Sequence, residues 1–196
     1  MSSEDEQQGE FDVTDPKAMR ALAHPVRTAL LELLRIHQTL TATQASELLG
    51  ETPANCAFHL RTLAKYGFVE EAGGGRGRER PWRSATTTIM VRSDQSDPQA
   101  AIAAQALGQM WRERWFDRAR RSFATSLPPA WDGARHATAR QCFLTPEELI
   151  EISAAVMEAM GRYDGRGDPE RRPAGALPVE LMFLGYPIVD RIQDIS

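Results

Sequence analysis

The stretch Thr41-Ala42-Thr43-Gln44-Ala45-Ser46-Glu47-Leu48-Leu49-Gly50-Glu51-Thr52-Pro53-Ala54-Asn55-Cys56-Ala57-Phe58-His59-Leu60-Arg61-Thr62-Leu63-Ala64-Lys65-Tyr66-Gly67 decides the fold. Thr41 and Gln44 have the spacing of a capping box, in which each side chain satisfies the other residue's free backbone N–H. The helix they start carries Ala45, Leu48 and Leu49 and stops at Gly50. After a short turn, Thr52 offers a second N-cap and Pro53 suits a first helical position, where no N–H is needed. That helix runs to Tyr66 and ends at Gly67, a residue free to turn left-handed. Two short helices joined by a glycine-containing turn make a helix-turn-helix by spacing alone.

On the N-terminal side, Met19, Leu22, Val26, Leu30, Leu33 and Leu34 recur at three- and four-residue intervals. His24-Pro25 interrupts this helical stripe, since proline ends one helix and starts the next. The expectation is two helices, Asp15–Ala23 and Pro25–Ile36. Residues 1–14 are polar and acidic, with almost nothing to bury, and read as a disordered tail. On the C-terminal side, Phe68-Val69-Glu70-Glu71 and Arg80-Pro81-Trp82-Arg83-Ser84-Ala85 flank a glycine-rich tip that holds Arg76 and Arg78. Two short extended segments around such a tip read as a β-hairpin. A basic hairpin directly after a helix-turn-helix is a wing.

Placing Cys56, Leu60 and Leu63 inward fixes the rotation of the second motif helix. Its opposite face then presents Ala54, Asn55, Phe58, Arg61, Thr62 and Lys65, with His59 on the border. Such a set suits the major groove of double-stranded DNA. Asn55 can pair with an adenine edge, and Phe58 or Ala54 can touch a thymine methyl. Thr52, Pro53, Arg61, Thr62, Lys65 and the wing residues Arg76, Arg78 and Arg80 are placed to meet phosphates or bases. For His59, a half-buried ring bonded to the backbone and a base contact stand as equal alternatives. Cys56 reads as a core residue.

Charge supports an anionic partner for this segment alone. The 196-residue chain has a net charge of −4. Residues 1–16 hold six acids and no base, residues 17–92 hold eleven Lys/Arg against six acids, and residues 93–196 hold twelve against fifteen. The middle segment is therefore basic inside an acidic chain. Hydrophobic residues at 42% and charged residues at 26% are ordinary globular composition. No run approaches the ~18 apolar residues of a membrane span, and no secretory leader pattern precedes the first helix, so a cytoplasmic protein is expected. The two cysteines, Cys56 and Cys142, have no CxxC spacing, which argues against a cysteine-built zinc site. His24, His37, His59 and His136 are scattered, so no metal site and no cofactor are expected. An enzyme is not expected either: no nucleophile–His–carboxylate signature, no GxxxxGK[ST] and no GxGxxG after a strand occurs.

The stretch Asp15–Ala85 resembles the ArsR-like winged helix-turn-helix domain of bacterial transcription regulators. The resemblance rests on Ala21-Leu22-Ala23-His24-Pro25-Val26-Arg27, on the motif quoted above with its His59-Leu60-Arg61-Thr62-Leu63, and on the closing Gly67-Phe68-Val69-Glu70. It implies a homodimer reading a pseudo-palindrome, with one recognition helix in each major groove and each wing on the flanking backbone or minor groove. At Ala57 the family commonly has a serine that helps contact DNA. The cysteine pair of the family's metal sensors would fall within Ala45–Leu49, which contains no cysteine.

The second half reads as a dimer brace or a sensor. Asp97-Pro98 starts a long helix to about Thr125, with Leu107, Trp111 and Trp115 on one stripe, suited to pairing with its symmetry mate. Thr145-Pro146-Glu147-Glu148 is a capping box for a further helix. Ala139–Leu144 looks extended, and Leu177–Val189 is apolar enough for a buried strand. Leu107, Met110, Trp111, Trp115, Phe183 and Tyr186 either line a pocket for a small hydrophobic effector or form plain core and dimer interface, and the second is the commoner use of such a stripe.

The fold class expected is mostly α with small β (α+β). A disordered acidic tail (1–14) precedes a winged helix-turn-helix DNA-binding domain (15–92). A dimerisation and effector region (93–196) follows, comprising a long helix and a small strand–helix–strand unit. The function expected is sequence-specific transcriptional regulation, as a repressor. The rival is a protein-interaction module that uses the same face, with Phe58 as its anchor.

Overall fold

Short polar side chains and prolines set the helix boundaries. The computed structural model describes residues 10–73, 80–86, 88–91 and 97–189. After β1 (Glu10–Asp12), α1 (Pro16–Leu22) begins where the Asp15 carboxylate accepts from the Lys17 N–H at 2.9 Å. α2 (Pro25–His37) begins where His24 Nδ1 accepts from the Val26 N–H at 3.2 Å. The next helix, α3 (Ala42–Leu49), has both halves of its capping box, at 3.2 Å and 2.8 Å, and ends at Gly50 with φ +68°. α4 (Pro53–Lys65) is capped by Thr52, whose hydroxyl accepts from the Asn55 N–H at 3.2 Å. These four helices follow the expected boundaries to within about one residue.

The hairpin forms as expected. Its strands are β3 (Val69–Glu71) and β4 (Trp82–Ser84), antiparallel with Val69 opposite Ser84. A further strand, β2 (Thr39–Leu40), joins the other edge of β4, so the sheet order is β2-β4-β3. The hairpin tip with Arg76 and Arg78 lies outside the described residues. β5 (Thr88–Met90) pairs in parallel with β1, placing Glu10 opposite Thr88. The disordered tail expected over 1–14 is thereby corrected: its last residues form a strand, and Val13 is buried in the core. Composition hid this because the stretch has few apolar residues, while Val13 needs only one slot against the helices and the backbone of 10–12 needs only a partner strand.

The core of this domain is built from Met19, Leu22, Leu30, Leu34, Leu60, Leu63 and Phe68, all essentially without solvent contact. Each such side chain contributes about 1.5–3 kcal/mol of burial. α5 (Pro98–Ala124) adds Ala103, Ala104 and Leu107 to the same core, with Met110 and Trp111 packed against it. The spacing of three, four and seven residues is that of one helix face. Small alanines let this helix approach closely.

The chain divides into two compact units between Arg118 and Ala119. The first turns of α5 therefore belong with the helix-turn-helix core and not with the region that follows. In the second unit, α6 (Pro146–Gly161) starts at the expected capping box, with Thr145 and Glu148 paired at 2.7 Å and 3.3 Å. The strand–helix–strand arrangement expected there is corrected. Residues 139–144 and 177–188 form neither helix nor strand, and Leu177–Val189 is exposed, not buried. An apolar run becomes a strand only where another strand takes up its backbone hydrogen bonds. Among the described residues of this unit there is none.

Candidate nucleic-acid interface

The outer face of α4 is assembled by burial of the opposite one. Cys56, Leu60 and Leu63 are fully buried, which turns Ala54, Phe58, Arg61 and Lys65 out to solvent and leaves Asn55 and Thr62 half-buried at its borders. Thr52 and Pro53 stand exposed at its N-terminal end. Phe58 is 56% exposed, a large apolar ring on an otherwise polar face. Thr62 spends its hydroxyl on the Phe58 carbonyl at 3.0 Å, one turn back. The Lys65 ammonium lies 5.6 Å from the Tyr66 ring centre.

His59 is the exception, and its place among DNA-contacting residues is corrected. Its ring is 5% exposed, tilted against the His24 ring at a centroid distance of 4.4 Å. It sits only ~60° around the helix from Cys56, so the arc covered by neighbouring helices reaches it. The Arg27 Nη1 lies 3.4 Å from His59 Nδ1. The same guanidinium donates through Nε to the Ala21 carbonyl and through Nη2 to the Arg20 carbonyl at 3.3 Å, closing the end of α1. Arg27 thus ties α1, α2 and α4 together beneath the outer face. Burial, reinforced by Arg27, holds the His24 imidazole below its ordinary pKa. For His59, burial acts first and then His24 and Arg27 in the same direction, while Glu51 opposes the shift in both rings. Both rings therefore favour the neutral form.

On the wing, Arg80 pairs with Glu71 and Arg83 with Glu70 at 2.7 Å across the hairpin. Both pairs are solvent-exposed, so each is worth little and yields readily to a phosphate. The half-turn before α4 supplies a residue that sequence reading passed over. Glu51 accepts a hydrogen bond from Asn55 Nδ2 at 2.8 Å. Its spacing, four residues before Asn55, was the available signal. His24 and Arg27 stood in the quoted signature, but their role became visible only when α1 and α4 were brought together.

With that geometry in view, the comparison with known families bears on residues 22–72. They match the family model of a helix-turn-helix domain. The match spans α2, α3, α4 and β3, well under half of the chain. No curated protein matches. Among solved structures, one similar chain is a transcriptional regulator homologue from Pyrococcus horikoshii OT3, at 18% identity over 52% of this chain and 92% of that one, with a TM-score of 0.32. A second is a double mutant of Lactococcus lactis ZitR in apo form, at 15% identity over 72% of this chain and 84% of that one, TM-score 0.32. A third is a cysteine-to-serine mutant of MarR from E. coli, at 11% identity over 75% of this chain and 88% of that one, TM-score 0.33. Likenesses this distant carry no weight for the function of the present chain, and the helix-turn-helix domain stands on its own geometry and the family match.

The residues expected in a pocket or dimer interface divide between the two units. Leu107 is fully buried in the helix-turn-helix core, Met110 and Trp111 pack on that core, and Trp115 is half-buried with its ring 6.1 Å from that of Trp111. Phe183 and Tyr186 belong to the second unit and are exposed, Tyr186 strongly. A shallow open groove in that unit is lined by Leu144, Glu148, Glu151, Ile152 and Ala155. Among the described residues no cluster of three His, Cys, Asp or Glu side chains is placed to hold a metal ion. No helix among them is long and apolar enough to cross a membrane.

Proposed function

We propose that this chain is a sequence-specific DNA-binding regulator of transcription, of the ArsR-like winged-helix type, acting in the cytoplasm as a homodimeric repressor. The observation that carries this reading is the outer face of α4, where Ala54, Phe58, Arg61 and Lys65 are exposed on a helix whose other face is buried. A recognition helix needs that combination: a rigid seat, cations for phosphates, and short polar or apolar groups for base edges. Arg61, Lys65 and the wing arginines Arg76, Arg78 and Arg80 supply salt-dependent affinity, and Asn55, Phe58 and Ala54 supply base choice.

Two copies joined through the Trp111–Trp115 side of α5 would present two recognition helices to half-sites ~34 Å apart. A small hydrophobic effector that favoured a dimer with a different helix spacing would release the operator. The chain acts by binding, with no catalytic step. Selection of bound duplexes from a random DNA pool at two salt concentrations tests the reading. A two-fold symmetric motif retained at the higher salt is the expected result. Salt-sensitive retention without any motif overturns it and leaves Phe58 as the anchor for a protein partner.

A further inference from the structure

We infer that Glu51, outside the helix itself, is the positioning residue that makes Asn55 a base reader. The inference rests on the DNA-binding reading of α4. Both backbones are held independently of their side chains. The Glu51 N–H donates to the Ser46 carbonyl at 3.1 Å, part of the closure of α3 at Gly50. The Asn55 N–H donates to the capping Thr52 hydroxyl at 3.2 Å. Between these two fixed points Asn55 Nδ2 donates to Glu51 Oε2 at 2.8 Å, a charge-assisted hydrogen bond.

A carboxamide has two N–H donors and one acceptor oxygen. Glu51 takes one N–H. Oδ1 and the second N–H are left for a base, the acceptor and donor that match N6–H and N7 of adenine. Reversal of the amide would set Oδ1 against the carboxylate, so the order of acceptor and donor is fixed. An asparagine without this partner turns freely and surrenders part of its discrimination to ordering entropy. The Glu51 charge also repels phosphate at every duplex alike, which lowers non-specific retention and widens the ratio between right and wrong sites.

The full-length chain and its Glu51→Ala, Glu51→Gln, Asn55→Ala and Glu51→Ala/Asn55→Ala variants are each passed through the same random duplex pool. Base frequencies and total retention are then read. In the unaltered chain adenine is favoured at one position per half-site by about tenfold, a preference that Asn55→Ala abolishes. Glu51→Ala reduces that preference to about threefold while raising retention of random duplexes, and the double variant is no worse than Asn55→Ala. Glu51→Gln keeps only part of the preference, because its amide oxygen accepts the same N–H while its own N–H groups also tolerate a reversed Asn55 amide, and it still raises random retention. Equal loss at every position in Glu51→Ala, or additive losses in the double variant, overturns the positioning role while leaving the regulator reading intact. If the unaltered chain shows no base preference anywhere, the recognition helix reading itself fails and this proposal with it.

Discussion

Arg114 of α5 grips Glu32 of α2 with two donors, Nε to Oε1 at 2.9 Å and Nη2 to Oε2 at 2.7 Å. Arg118, one turn further along, adds a third bond to Oε1 at 2.6 Å. All three side chains are two-thirds or more buried. The cluster pins the long helix to the helix-turn-helix core beyond the alanine stripe, where packing alone thins out.

Burial raises the Glu32 pKa, but the hydrogen bonds from Arg114 and Arg118 outweigh it and hold the carboxyl below its ordinary range. A folded-state pKa below the unfolded one means stability present at neutral pH and lost as pH falls through the folded value. Glu32→Gln is expected to cost about 1.5–3 kcal/mol at pH 7, the range for a hydrogen bond to a charged group. Urea titrations at pH 7 and pH 3 check this: the gap between variant and parent should narrow at the lower pH. A gap that stays constant would show that the ion pair is not the source.

The His24 and His59 rings, tilted against each other where α1, α2 and α4 meet, make the domain acid-sensitive. Both pKa values lie below 6.5 in the folded protein, from burial first and the neighbouring cation and ring after it. The unfolded chain therefore binds more protons once pH drops below 6.5, and stability falls with pH from there down to the folded values. Thermal melts between pH 7.5 and pH 5 should show a declining Tm in the parent and a shallower decline in His59→Gln. Parallel slopes would sink the assignment.

Gln38 closes α2 with φ +68° and ψ −56°, a positive-φ conformation that side chains resist. Its amide donates to the Arg35 carbonyl at 3.2 Å, a single exposed bond that only partly offsets the strain. Glycine relieves the strain, so Gln38→Gly is expected to raise stability by about 1 kcal/mol despite the added freedom of the unfolded chain. A differential scanning measurement that finds a lower Tm would mean the amide bond outweighs the backbone.

Arg76 and Arg78 carry the wing's share of the proposed DNA contact. Replacing both with alanine should weaken binding to all duplexes and flatten the slope of log affinity against log salt by about 0.9 for each phosphate the wing no longer neutralises. Asn55→Ala should instead leave the slope intact. Fluorescence anisotropy across a salt series separates the two, and an unchanged slope in the arginine variant would falsify a wing contact.

What the sequence by itself determined lies within reach of three or four residues. The Thr41–Gln44 and Thr145–Glu148 boxes, the prolines at 25, 53 and 146, and the glycines at 50 and 67 act on their own turns. Their elements therefore formed where local chemistry put them. The inward set Cys56, Leu60 and Leu63 was legible for the same reason, since a helix converts spacing into direction, and with it came most of the outer face of α4.

The tertiary structure decided whatever needed a distant partner. Whether His59 faced out depended on His24 and Arg27, more than thirty positions earlier, filling the arc beside it. Whether residues 10–12 were tail or strand depended on β5. The apolar run 177–189 had the composition of a strand and did not become one, because composition supplies side chains while a strand also requires a neighbouring backbone to bond. Glu32 gave no sign of its role, as a carboxylate mid-helix reads as solvated until two arginines arrive from a helix some eighty residues away.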